Sequence, residues 1–150
     1  MTTRTAPRTG TGWAALGVCV VGTLATIYLT YEHFTSGSTF ACPEAQSINC
    51  QKVTTSQWSH VAGIPVAVIG LVYFAGMLVL CSPWLWQDRR LDGIRVAGAA
   101  VGVLSALYLI WIELFRVDAV CIWCTLVHIC ALALLCLTIW RLVAEPPEPV

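Results

Sequence analysis

The sequence predicts an all-α membrane protein, a four-transmembrane-helix bundle with a long outer loop between helices 1 and 2. Three observations carry that expectation. Of 150 residues, 58% are hydrophobic and only 11% charged, where an average soluble domain carries about 25% charged residues. The apolar residues gather into four blocks, each near the length that spans about 30 Å of hydrocarbon. Basic residues are distributed unequally between the loops that join those blocks. Net charge is zero, so nothing suggests nucleic-acid binding or a charged tail.

The first block covers residues 13–31, the second 64–80, the third 96–115 and the fourth 120–142. Single Gly, Ser, Thr, Glu or His residues interrupt them, which spanning helices tolerate when packed against neighbours. A cleaved signal peptide competes for the first block, but its apolar stretch exceeds the usual h-region of about 7–15 residues. "TFAC", ending at Cys42, is a poor lipoprotein cleavage site because of Thr39 and Phe40. The loops after blocks two and three are short, so consecutive helices are expected to be antiparallel neighbours. The loop over 32–63 is long, and long loops in compact proteins are usually functional. Within it, residues 53–61 are expected to form a short helix on the membrane surface. "GIP" then opens the second span, with Pro65 in its first turn, where a missing N–H costs little.

The domain division follows: a disordered cytoplasmic N-terminus over 1–12, a membrane domain over 13–143, and a cytoplasmic tail over 144–150. The tail's "EPPEPV" cannot continue a helix. Arg4, Arg8, Arg89, Arg90, Arg95 and Arg141 lie to one side of the spans, against Lys52 and Arg116 on the other. Positive residues favour the cytoplasmic side, so both termini are expected there in a multi-pass protein of the cell membrane. Aromatic belts would then comprise Trp13, Trp84, Trp86 and Trp140 at one interface and Tyr28, Tyr31, Trp111 and Trp123 at the other.

The eight cysteines sort by position. Cys19, Cys81, Cys130 and Cys136 lie within spans or at a cytoplasmic end, and each reads as a small buried hydrophobe. Cys42, Cys50, Cys121 and Cys124 all map to the outer face. Four thiols on one oxidising side of a membrane read as two disulfides or one exchange chain. Cys121, Cys124 and His128 fall at i, i+3 and i+7, so they share one helix stripe running from the surface into the bilayer. A helix start carries unpaired N–H groups and partial positive charge, which favour a thiolate. A soluble donor can reach the loop pair, and a lipid-soluble acceptor can reach Cys124 from within the membrane. A quinone is a two-electron acceptor of that kind. Two other readings stay open on spacing alone. The pairs are static structural disulfides, or the four sulfurs form a zinc site, although structural zinc sites usually use shorter spacing within each pair.

The motifs C-x7-C at Cys42 and Cys50, "VTTSQW" at 53–58, "GIP" at 63–65 and "CIWC" at 121–124 occur here in that order. Together they resemble the vitamin K epoxide reductase family, most closely its bacterial members that reoxidise disulfide-forming proteins. The resemblance runs from the first span to the fourth. It implies a four-helix bundle around a quinone, of menaquinone, ubiquinone or vitamin K type, and no metal. It makes Cys42 the outer shuttle thiol toward a thioredoxin-fold partner, has Cys50 pass electrons to Cys121, and seats Cys124 beside the quinone. Ser56 would orient or activate the cysteines. Many bacterial members carry a fused thioredoxin-like domain after the last span. None follows here, so the partner is expected to be a separate DsbA-like thioredoxin-fold protein.

His128 stands where vitamin-K-reducing relatives have a tyrosine. It would donate to a quinone carbonyl, or it is satisfied by a helix–helix contact. Glu113 is either a proton route or a side chain that snorkels to the interface. His33 and His60 are expected to be solvated. Glu44 either shapes the partner surface or is a plain loop residue, and the run of Ser36, Gly37 and Ser38 would let the loop move.

Overall fold

The computed structural model describes residues 7–35, 42, 45 and 47–144. Glu44 and the run of Ser36, Gly37 and Ser38 lie outside the described residues, as do residues 1–6 and 145–150. Four long helices make the bundle: α1 (Pro7–Phe34), α3 (Val66–Leu80), α5 (Asp92–Ile112) and α6 (Ile122–Ala144). Between them lie α2 (Cys50–Thr54), a 3-10 turn (Gln57–Ser59), strands β1 (His60–Val61) and β2 (Ile64–Pro65), and α4 (Pro83–Trp86). α1 begins at Pro7, so residues 7–12, expected in a disordered terminus, are helical. Proline is tolerated at that first helical position.

The segments Gly10–Phe34, Arg89–Val117 and Ile122–Ala144 are long and apolar enough to cross a membrane. The fourth apolar helix, α3, has 15 residues and spans about 22 Å at 1.5 Å per residue, short of the hydrocarbon thickness. It is shorter than the expected 64–80 because Ile64 and Pro65 pair with Val61 and His60 in a hairpin. Ala62 and Gly63 turn that hairpin with φ of 51° and 83°, the paired positive values that a tight two-residue turn demands. The helix expected over 53–61 is therefore replaced by the end of α2, the 3-10 turn and β1.

α1 is the hub of the bundle. It packs along α3 and α6, and α6 packs along α5, whereas α3 and α5 meet at few points. Gly22 permits the α1–α3 approach, since a Cβ there would lie 2.3 Å from the Phe74 ring. Small residues at such crossings let packing hold helices together where lipid supplies no hydrophobic drive. Ala15, Cys19, Phe74, Met77, Cys81, Ala99, Cys130 and Leu134 form the main core. The outer surface carries exposed Leu24, Val72, Leu104, Leu107, Ile129 and Leu132 on the long helices.

At one end of the bundle Arg95 is 0% exposed. Its guanidinium donates to Leu80 O at 2.9 Å and Asp88 O at 3.2 Å, and also to Leu85 O. It pairs with Asp92 at 2.6 Å, and Arg141 reaches the same carboxylate at 2.8 Å. Arg141 also donates to Trp86 O at 2.5 Å. The irregular backbone around α4 thus finds donors for its carbonyls, as buried backbone polar groups must. One expectation is corrected here: Trp86 is no interface-belt residue, because it is buried with Arg95 and Arg141 stacked on its ring at 5.1 and 4.4 Å. Arg95 and Arg141, two of the basic residues at this end, are themselves buried.

Candidate functional site

The opposite end of the bundle gathers the cysteines. α2 opens at Cys50, capped by Asn49, whose side-chain oxygen accepts from Lys52 N–H at 2.8 Å. The strand-like residues before it pair with the start of α6: Val120 N–H donates to Ser47 O at 2.9 Å, and Asn49 N–H to Val120 O at 3.2 Å. Because Asn49 and Val120 are fixed to each other, the next residues on each side, Cys50 and Cys121, are brought together. Both are buried in one cluster with Leu29, and Cys42 and Cys124 pack against it. The structure therefore unites Cys42, Cys50, Cys121 and Cys124, the four cysteines that the sequence singled out.

Cys42 and Cys50 are joined by a disulfide of 2.01 Å, which engages two of the four sulfurs a zinc site would need. Cys121 and Cys124 are free thiols, and Cys124 N–H donates to Cys121 Sγ at 3.3 Å. The remaining cysteines divide. Cys19, Cys81 and Cys130 are buried as expected, while Cys136 lies exposed on the outer face of α6.

Beside the thiols lies a cavity of about 250 Å³. It fills the gap between α3 and α5, and Leu29, Phe74, Val101, Leu109 and Val127 supply its apolar walls. Cys124 and His128 face it from α6, one helical turn apart, and Glu113 faces it from the end of α5. His128 is buried. Ser56 also lines the cavity, but its hydroxyl donates to Val53 O at 2.9 Å. His33 is half-buried rather than solvated; its Nδ1 lies 3.3 Å from Thr54 O, while His60 is exposed.

Two residues on the cavity wall were undervalued by the sequence. Glu113 does not snorkel: it is 5% exposed, and its carboxylate accepts from the Cys121 N–H and the Cys124 thiol. Tyr73 gave no signal in an apolar span. Its hydroxyl is buried with no hydrogen-bond partner among the described residues, and it lies where a Cβ on Gly102 would come within 2.2 Å.

The segment that holds the bundle, the loop disulfide and the CIWC pair is the segment that matches a known family. The sequence model of the Vitamin K epoxide reductase family covers residues 13–139. The chain belongs to that family. Vitamin K epoxide reductase proteins are membrane thiol oxidoreductases, and that coarse activity is this chain's as well. The apolar helices agree with a place in the membrane.

Proposed function

We propose that the chain is a thiol:quinone oxidoreductase of the cell membrane that reoxidises a separate DsbA-like thioredoxin-fold protein. One observation carries this reading: Cys124 belongs both to the four-cysteine cluster and to the wall of an apolar cavity between the helices. A four-span topology with both termini cytoplasmic would put the cysteines on the oxidising side, where exposed disulfide chemistry persists.

The residues fit a quinone. Its ring would suit an apolar cavity with a few convergent polar groups, and the unpartnered Tyr73 hydroxyl and His128 are such groups for its carbonyls. When bound, the quinone supplies the acceptor for two electrons and two protons.

The chain's own thiols do the rest. A thiolate of the reduced partner attacks Cys42 and frees Cys50, and the partner's second thiol then resolves the mixed disulfide. Cys50 attacks Cys121 of a Cys121–Cys124 disulfide and frees Cys124. Cys42 then attacks Cys50, which restores the loop disulfide and leaves both helix cysteines reduced. Each step is thiolate attack on a sulfur through a mixed intermediate. One closed loop disulfide beside two free helix thiols is a pattern that this order of steps would pass through. Ser56 has a supporting role through Val53, on the loop that carries Cys50.

The test is anaerobic turnover: purified full chain, a reduced thioredoxin-fold protein and a water-soluble quinone, followed at the quinone's ultraviolet absorbance. Turnover lost in each of Cys42→Ala, Cys50→Ala, Cys121→Ala and Cys124→Ala supports the reading. Folded, membrane-inserted wild type that reduces no quinone contradicts it.

A further inference from the structure

We propose that Glu113 is a catalytic residue, the base that takes the Cys124 proton and passes it to the acceptor in the cavity; this rests on the thiol:quinone reading above. Its placement comes from a local break in α5. Residues Glu113–Val117 form a π-helical turn closed by Asp118 in the left-handed region at φ 51°, and such wide turns are frequent at functional sites. Leu114 and Phe115 stay exposed, while Glu113 is held within the bundle.

A buried carboxyl among apolar walls is costly unless something there uses it. Among the described residues no Lys or Arg pairs with Glu113, whereas Asp92 is paired with Arg89, Arg95 and Arg141. Arg116, three residues on, stacks instead over Trp58 and Trp111 at 5.4 and 5.3 Å. What reaches the carboxylate is the Cys121 N–H, which orients it, and the Cys124 thiol, the group that must lose a proton. The titratable neighbours around the cavity are Cys124 and His128 on α6, Tyr73 on α3 and His33 on α1, with Cys121 just before α6. On the turn itself they are Arg116 and Asp118, with Lys52 Nζ on the Asp118 carbonyl.

The step balances. The Cys124 S–H proton goes to Glu113 and from there to a quinone oxygen. The Cys121 thiol proton is the second to leave. Two S–H bonds break and one S–S bond forms, and the quinone gains two electrons and two protons. A glutamine would accept the Cys121 N–H equally well, so a purely structural role survives Glu113→Gln and a proton-transfer role does not.

The experiment is single-turnover oxidation of the fully reduced chain by a water-soluble quinone, across pH, in wild type, Glu113→Gln and Glu113→Asp. Exchange with a reduced dithiol at Cys42–Cys50 is measured in parallel. Glu113→Gln is expected to slow quinone-dependent oxidation about 100-fold at pH 7, within the usual range for a general base. Its rate should then climb with pH where wild type is flat, with exchange within about twofold of wild type. If Glu113→Gln does not insert, Glu113→Asp decides, with a drop of about tenfold or more supporting the role and an unchanged rate overturning it. An active wild type matched by Glu113→Gln in rate and pH profile overturns this inference alone. An inert wild type overturns the thiol:quinone reading and this inference with it.

Discussion

The arginine end and the cysteine end of the bundle handle buried polar groups in opposite ways. Around Trp86, the buried charges of Arg95, Asp92 and Arg141 pair with one another and with the backbone carbonyls of the α3–α5 connection. Around Cys124, a carboxylate, an imidazole and a phenol face a cavity with few protein partners. Interlocked networks make a rigid, specified end. Groups left partly unsatisfied beside thiols are suited to a visiting ligand. The comparison separates charge that is paired within the bundle, and so structural, from unpaired groups that the proposed chemistry would use.

The comparison breaks most severely at Cys124. Replacing Cys124 by Ala should lower thiol-to-quinone turnover about 1,000-fold or more, as loss of a reacting nucleophile does, with helicity by circular dichroism unchanged; retained turnover removes Cys124 from the path. At the other end Asp92→Ala leaves Arg95 and Arg141 buried without their shared counter-ion. It should cost about 3–5 kcal/mol, seen as a lower thermal midpoint in detergent. The folded fraction should keep wild-type turnover, and an equal loss per folded molecule would erase the contrast between the ends.

A smaller effect is expected at the cavity. Gly102→Ala must displace the Tyr73 hydroxyl, so the quinone KM should rise about fivefold to tenfold, the worth of one hydrogen bond, with dithiol exchange unaffected. An unchanged KM would detach Tyr73 from the acceptor. Smallest of all is Cys136→Ser, on an exposed face. Its thermal midpoint should stay within the equivalent of about 0.5 kcal/mol, and a larger loss would mean that this face is covered.

Much of this was legible in the sequence because the signals are local. Hydropathy marks apolar helices without knowledge of their neighbours, and C-x7-C followed by CIWC picks out the four cysteines that the fold gathers. What hid were features set by contacts distant in sequence. Trp86 looks like an interface tryptophan until Arg95 and Arg141, from two different helices, close on it. Glu113 reads as either a proton route or a snorkelling side chain until the π turn sets it beside Cys124. "GIP" was visible as a helix start, but its glycine serves a hairpin turn at positive φ, which no hydropathy pattern records.

The central claim, that electrons cross from loop to helix between Cys50 and Cys121, is tested most directly by trapping that bond. In Cys124→Ala the Cys121 thiol has no resolving neighbour, so it should attack the loop disulfide at Cys50 and leave Cys42 as a free thiol. Acid quenching, alkylation and peptide mass spectrometry of the full chain would locate the link. The account predicts a Cys50–Cys121 disulfide with alkylated Cys42. An intact Cys42–Cys50 bond with Cys121 alkylated, or a Cys42–Cys121 link, would contradict it.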